Sequence, residues 1–139
     1  MGNINAGRVI LGGLLAGLVV NIGETLLNTV VLGQAMSEAL SARNLPDVGG
    51  SAIAGFIVFA FVLGIVTVWL YAAIRPRFGP GAKTAVIAGL FVWYFAYFYS
   101  GSAMVLMGFY PVTLTGVGLV WGLVEIVLGA LAGAWVYSE

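Results

Sequence analysis

Two acidic residues lie inside long apolar stretches of the chain, where a charged side chain is costly. Glu24 falls in the apolar run of about residues 9–33, and Glu125 lies near the middle of the run of about residues 112–137. A carboxylate in the interior of a membrane is usually paired, protonated or turned toward a water-filled cavity, so it is a candidate functional group by default. The chemistry open to two such acids is the binding of protons or cations.

Each acid belongs to a helical face built from small or polar residues. In the first run these residues recur every three or four positions, which places them on one face: Gly13, Gly17, Asn21, Glu24, Thr25 and Asn28. The last run shows the same spacing: Gly118, Gly122, Glu125, Gly129 and Gly133. Glycines four residues apart are typical of close helix packing in membranes. We therefore predict that the first and last helices pack antiparallel through these glycines, with both acids pointing inward.

An aromatic segment in the third apolar run supplies hydroxyl groups that could meet the acids. Residues 91–99 include Tyr94 and Tyr97 among many aromatic side chains, and together these cover every face of a helix. Tyrosine hydroxyls are suitable donors to the acids, and aromatic faces could surround an organic cation. Aromatic packing and lipid contact is the alternative interpretation. Because no basic residue lies inside any run, a ligand or a proton remains a candidate partner for the acids. The alternative is structural: two protonated acids that only hydrogen-bond one helix to another.

The composition of the chain predicts that membrane-spanning helices carry the acids and the aromatic residues. The 139-residue chain is 62% hydrophobic and 7% charged, with a mean hydropathy of +1.12. A soluble domain has about 45–50% apolar and about 25% charged residues, so a soluble monomer is excluded. A membrane-crossing helix needs about 20 apolar residues, and four runs qualify: about 9–33, 51–74, 84–108 and 112–137. The four prolines are expected between the runs: Pro46, Pro76, Pro80 and Pro111. The sequence predicts an all-α, integral membrane four-helix bundle that forms a single transmembrane domain.

The positions of the basic residues predict the orientation of the bundle. Three of the five basic residues, Arg75, Arg77 and Lys83, lie in the hinge 75–83, which contains no acid. By the positive-inside rule this hinge and both termini are cytoplasmic, which places the loop 34–50 outside. Within that loop, apolar residues at helical spacing indicate a short helix on the membrane surface, acting as a lid or only as a connection.

Several classes of function are excluded by residues that the chain lacks. It has no Cys and no His, which removes disulfides, thiolate nucleophiles, and the commonest general base and metal ligand. Zero net charge argues against nucleic-acid binding. The segment Gly79–Thr84 has no complete phosphate-binding motif. We expect no enzyme activity, no cofactor and no metal.

Two stretches carry a resemblance to known proteins. Residues Arg8–Asn28, which include Gly23-Glu24, and the hinge Ala73–Gly81 are similar to bacterial four-span proteins described as hypothetical membrane proteins. This resemblance implies a bacterial cytoplasmic (inner) membrane and no assigned activity. A looser resemblance in length, number of spans and a Glu in the first span links the chain to small multidrug-resistance transporters. That likeness is architectural: the charge bias departs from the dual-topology members, and Glu125 has no counterpart there.

Two functional hypotheses remain open. In the first, the chain binds a small cationic or amphipathic ligand, or transports it in a proton-linked manner, at a site centred on Glu24 and Glu125. The other predicted residues of this site are Asn21, Thr25, Asn28, Tyr94 and Tyr97. Four helices enclose little space, so a pore would require a homo-oligomer. In the second, the chain is a non-catalytic accessory or structural subunit that packs in a larger membrane complex through its glycine faces and its aromatic span.

Overall fold

The computed structural model describes residues 3–137, and throughout that range helices are joined by short connections without any β-strand. Four helical stretches in it are long and apolar enough to cross a membrane: Ala6–Val31, Gly50–Phe78, Ala82–Leu106 and Val112–Val136. The all-α fold is therefore confirmed, and it contains four helices that are long and apolar enough to span a membrane. These spans bury between 22% and 33% of their most apolar segments inside the chain, which leaves most of their surface to lipid or to other subunits.

Two of the spans contain a stretch of π-helix. The first span consists of α1 (Ala6–Leu26) and a π-helical segment, Leu27–Val31. The third span consists of α4 (Ala82–Trp93), a second π-helical segment (Tyr94–Tyr99) and α5 (Ser100–Leu106). The other two spans are the uninterrupted helices α3 (Gly50–Phe78) and α6 (Val112–Val136). Single π-helical turns inside α-helices are rare and often lie at functional sites.

A short helix, α2, follows the first span and covers Gly33–Ser41. Its polar residues Gln34 and Glu38 are exposed and hydrogen-bonded to each other at 2.9 Å, while Met36 and Leu40 are half-buried. The expected short amphipathic helix in the loop 34–50 is therefore present. We call the end of the bundle that carries this helix the α2 end, and the opposite end, which carries Arg75, the Arg75 end.

The bundle is closed at the Arg75 end and open at the α2 end. In α3 every buried residue lies at or after Ala60, and in α6 every buried residue lies at or after Gly122. No residue of the third span between Tyr94 and Leu106 is buried. The helices therefore diverge toward the α2 end, and the point of divergence lies close to Glu125.

Helix α1 packs on two partners, and its glycines are divided between them. Gly13 and Gly17 face α3, where a Cβ on Gly13 would lie 2.9 Å from the backbone nitrogen of Ile65. The backbone of Gly64 in α3 approaches both glycines, so close that a side chain on Gly64 would overlap the backbone of α1. The prediction that Gly13 and Gly17 pack on the last helix is therefore wrong. Gly13 and Gly17 pack against a third glycine, Gly64 of α3. This close contact places that face of α1 against α3.

Helix α6 packs antiparallel on α1, as predicted, but along the neighbouring line of α1 residues. A Cβ on Gly133 would lie 2.9 Å from the carbonyl oxygen of Gly12, and a Cβ on Gly129 would lie 3.1 Å from that of Ala16. Successive residues of a helix differ by about 100° in direction, so Gly12 and Gly13 serve different partners. Gly118 has no atom within 4 Å of a Cβ position. Its predicted role in packing is wrong for this chain, because the helices have already separated at that depth.

The second span ends later than the sequence indicates. Pro76 was expected between spans, yet α3 continues through it to Phe78. Proline removes only the hydrogen bond to the preceding turn, and so close to a helix end its cost is limited. The helix stops at Gly79, whose φ of 84° is favourable for glycine, and whose N–H donates to the carbonyl of Arg75 at 2.8 Å. The first part of the basic hinge 75–83 is therefore helical.

Candidate functional site

The carboxyl group of Glu125 is buried where the helices diverge. The residue is 4% exposed, and its Oε1 accepts a hydrogen bond of 2.9 Å from the hydroxyl of Tyr97 in the π-helical segment of the third span. Within residues 3–137 no donor reaches its Oε2. A buried carboxyl oxygen without a donor is unfavourable unless a proton or a ligand meets it.

Gly122 allows Tyr97 to reach the acid. It lies nearly one turn before Glu125 on α6, and a Cβ there would lie 2.6 Å from Cε1 of the Tyr97 ring. The ring therefore occupies the space that a side chain at position 122 would fill. The predicted packing role of Gly122 is realised against a tyrosine ring of the third span and not against the first helix.

Glu24 lies beside Glu125, which brings the two predicted acids together. It is half-buried, and the two carboxyl groups are close enough for one to donate a hydrogen bond to the other. Its Oε2 also accepts from Nδ2 of Asn28 at 2.9 Å. Two carboxyl groups in such contact repel each other when both are ionised, so they are most stable when they share a proton. A bound proton would also supply the donor that the Glu125 carboxyl lacks.

The remaining polar residues of the first span do not all point to the acids. Asn21 turns toward α3, where its Nδ2 donates to the carbonyl oxygens of Gly17 at 3.0 Å and Ile57 at 3.3 Å. The exposed hydroxyl of Thr25 donates to the carbonyl of Asn21 at 2.8 Å. Of the predicted polar stripe, only Glu24 and Asn28 therefore take part in the acid cluster.

Tyr94 does not form part of the site. It is 46% exposed, and its ring stacks on Phe98 with 5.6 Å between ring centres and meets the edge of Phe95 at 5.1 Å. The prediction that Tyr94 offers its hydroxyl to the acids is wrong, because the residue lies on the outer surface of the third span. Tyr97 alone of the predicted tyrosines reaches Glu125.

Two residues of the site were not predicted from the sequence. Oε2 of Glu125 lies against Gly23, where a Cβ would be 3.1 Å from Cβ of Glu125. The indole N–H of Trp121 donates to the carbonyl oxygen of Gly23 at 3.0 Å and so joins α6 to α1 beside the acids. Trp121 precedes Glu125 by four residues, which places both on one face of α6, and this spacing was a signal that the sequence contained.

Among residues 3–137, no group of three or more His, Cys, Asp or Glu side chains lies close enough together to hold a metal ion. The two acids with Tyr97 and Asn28 are suited instead to holding a proton or one organic cation. Comparison with family models, curated proteins and solved structures finds no match to this chain.

Proposed function

We propose that this chain is a non-enzymatic membrane protein that binds a small cationic or amphipathic ligand at Glu24 and Glu125 in exchange for a proton. The observation that carries the proposal is the buried carboxyl of Glu125, which has an oxygen without a donor and a second carboxyl beside it. A cation that binds there takes the place of the shared proton, so ligand binding and proton release are coupled. Coupling of this kind is the elementary step of proton-linked transport.

The acid pair lies at a place where it can exchange protons. Glu24 is half-buried, and its neighbours Thr25 and Asn28 are exposed. Glu125, in contrast, is enclosed by Tyr97, Trp121 and Gly23. We infer that Glu24 is the member of the pair that meets the medium. In the orientation that the basic hinge favours, this open end faces away from the cytoplasm of a bacterial inner membrane and both termini lie inside.

Proton release on addition of a cation tests the proposal. Purified protein in a weakly buffered detergent solution is mixed with undecylammonium, and a pH indicator dye reports released protons. We expect release from the wild-type protein and its loss in Glu125→Gln, because an amide holds no exchangeable acid proton. Glu24→Gln leaves the Glu125 carboxyl in place, so we expect its release to differ in amount from that of wild type. Glu38→Gln on the exposed helix α2 is the matched control and should behave as wild type. Equal release from all four proteins would overturn the proposal.

A second function, as a subunit of a larger membrane assembly, is favoured by one observation. Asn28 and the threonines 25 and 29 are exposed on a helix that crosses the membrane. Polar side chains of this kind often bond across helix interfaces in lipid, and we infer that another helix covers them.

Because the chain contains no Cys, a single cysteine at position 29 reports what lies beside this surface. Oxidation of Thr29→Cys in native membranes should give a disulfide-linked product, whereas Val30→Cys, 75% exposed beside it, should give less. A product of twice the chain mass supports a homo-oligomer, and a product of another mass supports the accessory-subunit function. Equal yields at both positions contradict a specific interface there.

A further inference from the structure

An apolar groove runs between α1 and α6 directly over the buried acid. It encloses about 740 Å³, which is within the usual range for small-molecule sites. Its walls include Ile22, Leu26, Val120 and Val124, all of them exposed, and Gly23 and Glu125 lie at its base. Because the groove lies on the lateral surface of two membrane-spanning helices, it opens toward the acyl chains of the bilayer.

We propose that this groove admits, from the lipid phase, the alkyl chain of a single-chain amphipathic primary amine, whose ammonium group binds Glu125. This proposal rests on the proposed function and names the ligand class and the route by which the ligand arrives. The apolar walls exclude a ligand that is polar along its length. The carboxyl at the base favours a cationic head group over a purely apolar occupant, because a positive charge compensates a carboxylate within the membrane.

The head group follows from the donors that the site lacks. Oε1 of Glu125 already accepts from Tyr97, while Oε2 has no donor among the residues that the structure describes. An ammonium group has three N–H donors and a positive charge, so it can replace the shared proton as the donor to the Glu125 carboxyl at the base of the groove. A quaternary ammonium has no N–H to donate. Trp121 is the only aromatic residue that lines the groove, and one ring cannot form an aromatic cage around a quaternary ammonium group.

A helix from a second copy of the chain fits this groove less well. The basic residues of the spans all lie at the Arg75 end: Arg8, Arg75, Arg77 and Lys83. A second copy in the same orientation therefore brings no cationic side chain to the depth of Glu125. An apolar helix over the groove would bring no donor and no charge to the acid. A small amphipathic amine satisfies both the apolar walls and the acid.

Fluorescence of Trp121 provides a direct test, because its indole lines the groove. Bromine on an alkyl chain quenches a nearby tryptophan, so 11-bromoundecylammonium is added to the protein in lipid nanodiscs. The quenching that Trp121→Phe abolishes is assigned to the groove. The neutral probe 11-bromoundecanol and the quaternary N-trimethyl form of the bromoamine are the comparison ligands. We expect the primary amine to bind roughly tenfold or more tightly than either, because a charge-assisted hydrogen bond distinguishes them.

Two glycines of α6 give a matched pair of variants. Gly116 lines the groove and Gly118 does not, and neither has an atom within 4 Å of its Cβ position. Gly116→Leu should therefore fold normally and fill the groove, with amine binding at Trp121 weakened roughly tenfold or more. Gly118→Leu should bind as wild type. Glu125→Gln should remove the preference for the amine over the alcohol.

The outcomes separate this proposal from the proposed function. If Gly116→Leu still releases protons and binds the amine as wild type does, the groove is not the route, while the acid site stands. If undecylammonium releases the same number of protons from Glu125→Gln as from wild type, the proposed function fails. Equal quenching of Trp121 by amine and alcohol means that the groove is only lipid-exposed surface. Quenching that appears only after an oligomer is dissociated means that a second copy occupies the groove. Each of the last two results overturns the proposal.

Discussion

Replacing Gly64 by alanine tests the closest helix contact of the fold. A Cβ on this residue would lie 2.8 Å from Cα of Gly17 and closer still to other backbone atoms of α1. Carbon atoms in favourable contact are about 3.5–4.0 Å apart, so α1 and α3 must separate by roughly 1 Å. The obstructing atoms belong to the backbone and cannot rotate away. We therefore expect a loss of about 3 kcal/mol in the free energy of unfolding, at the upper end of the range for overpacking.

The matched control lies on the same helix. Gly55 has no atom within 4 Å of its Cβ position, and alanine there should stabilise α3 by about 0.5–1 kcal/mol through its better helix propensity. The two variants should therefore differ by about 3–4 kcal/mol, which is a factor of more than a hundred in the folding equilibrium. Unfolding is followed by circular dichroism as SDS is added to protein in a mild detergent.

A double variant shows whether the cause is helix separation. Gly13→Ala presses on the backbone of α3 from the other side of the same contact. Once one substitution has moved the helices apart, the second should cost less, so the double variant should be more stable than the sum of both losses predicts by about 0.5–3 kcal/mol. If Gly64→Ala is as stable as Gly55→Ala, or if the two losses simply add, the reasoning is refuted.

Three further predictions concern the surroundings of the acids. Tyr97→Phe removes the donor to Glu125 and should lower the free energy of unfolding by about 1–3 kcal/mol, whereas Tyr94→Phe, on the exposed surface of the same segment, should leave it unchanged in the same SDS titration. Gly122→Ala should displace the Tyr97 ring and reproduce that loss, while Gly118→Ala should be neutral or slightly stabilising. Tyrosine absorbance of Gly122→Ala, compared with Gly118→Ala, should show that the Tyr97 hydroxyl has lost its buried partner; unchanged spectra would contradict this geometry.

Much of the fold follows from the sequence because it depends on composition and length. Ten charged residues in 139 and four continuous apolar runs predict helices that can span a membrane, since runs of about 20 apolar residues fit a helix that satisfies its own backbone in lipid. Which helices pack against each other was harder to predict from the sequence. Gly12 and Gly13 are neighbours in the chain, yet they face α6 and α3 respectively, and the spacing of glycines alone does not tell which partner each line of small residues selects. Pro76 was predicted to lie between spans but lies within α3, because a proline near the end of a helix is tolerated.

The sequence identified the two acids of the candidate site, but it did not identify all of the residues that surround them. The cost of charge in lipid was enough to single out Glu24 and Glu125, and their helical spacing placed both at the seam of the first and last helices. Tyr94 and Tyr97 could not be distinguished by sequence, because their separation of three residues spans a π-helical segment whose wider turn changes the direction of the side chains. Gly23 was overlooked because its role is to leave space for another residue's carboxyl group.

The measurement that tests the account most directly is infrared spectroscopy of the carboxyl groups at neutral pH. A carboxyl that holds a proton has a C=O stretching band distinct from that of a carboxylate, and the band shifts on exchange into D₂O. We predict such a band in the wild-type protein, its loss in Glu125→Gln, and a changed frequency in Glu24→Gln, with Glu38→Gln identical to wild type. Absence of the band in the wild-type protein, or a band that neither of the first two substitutions alters, would contradict the claim that Glu24 and Glu125 share a proton within the membrane.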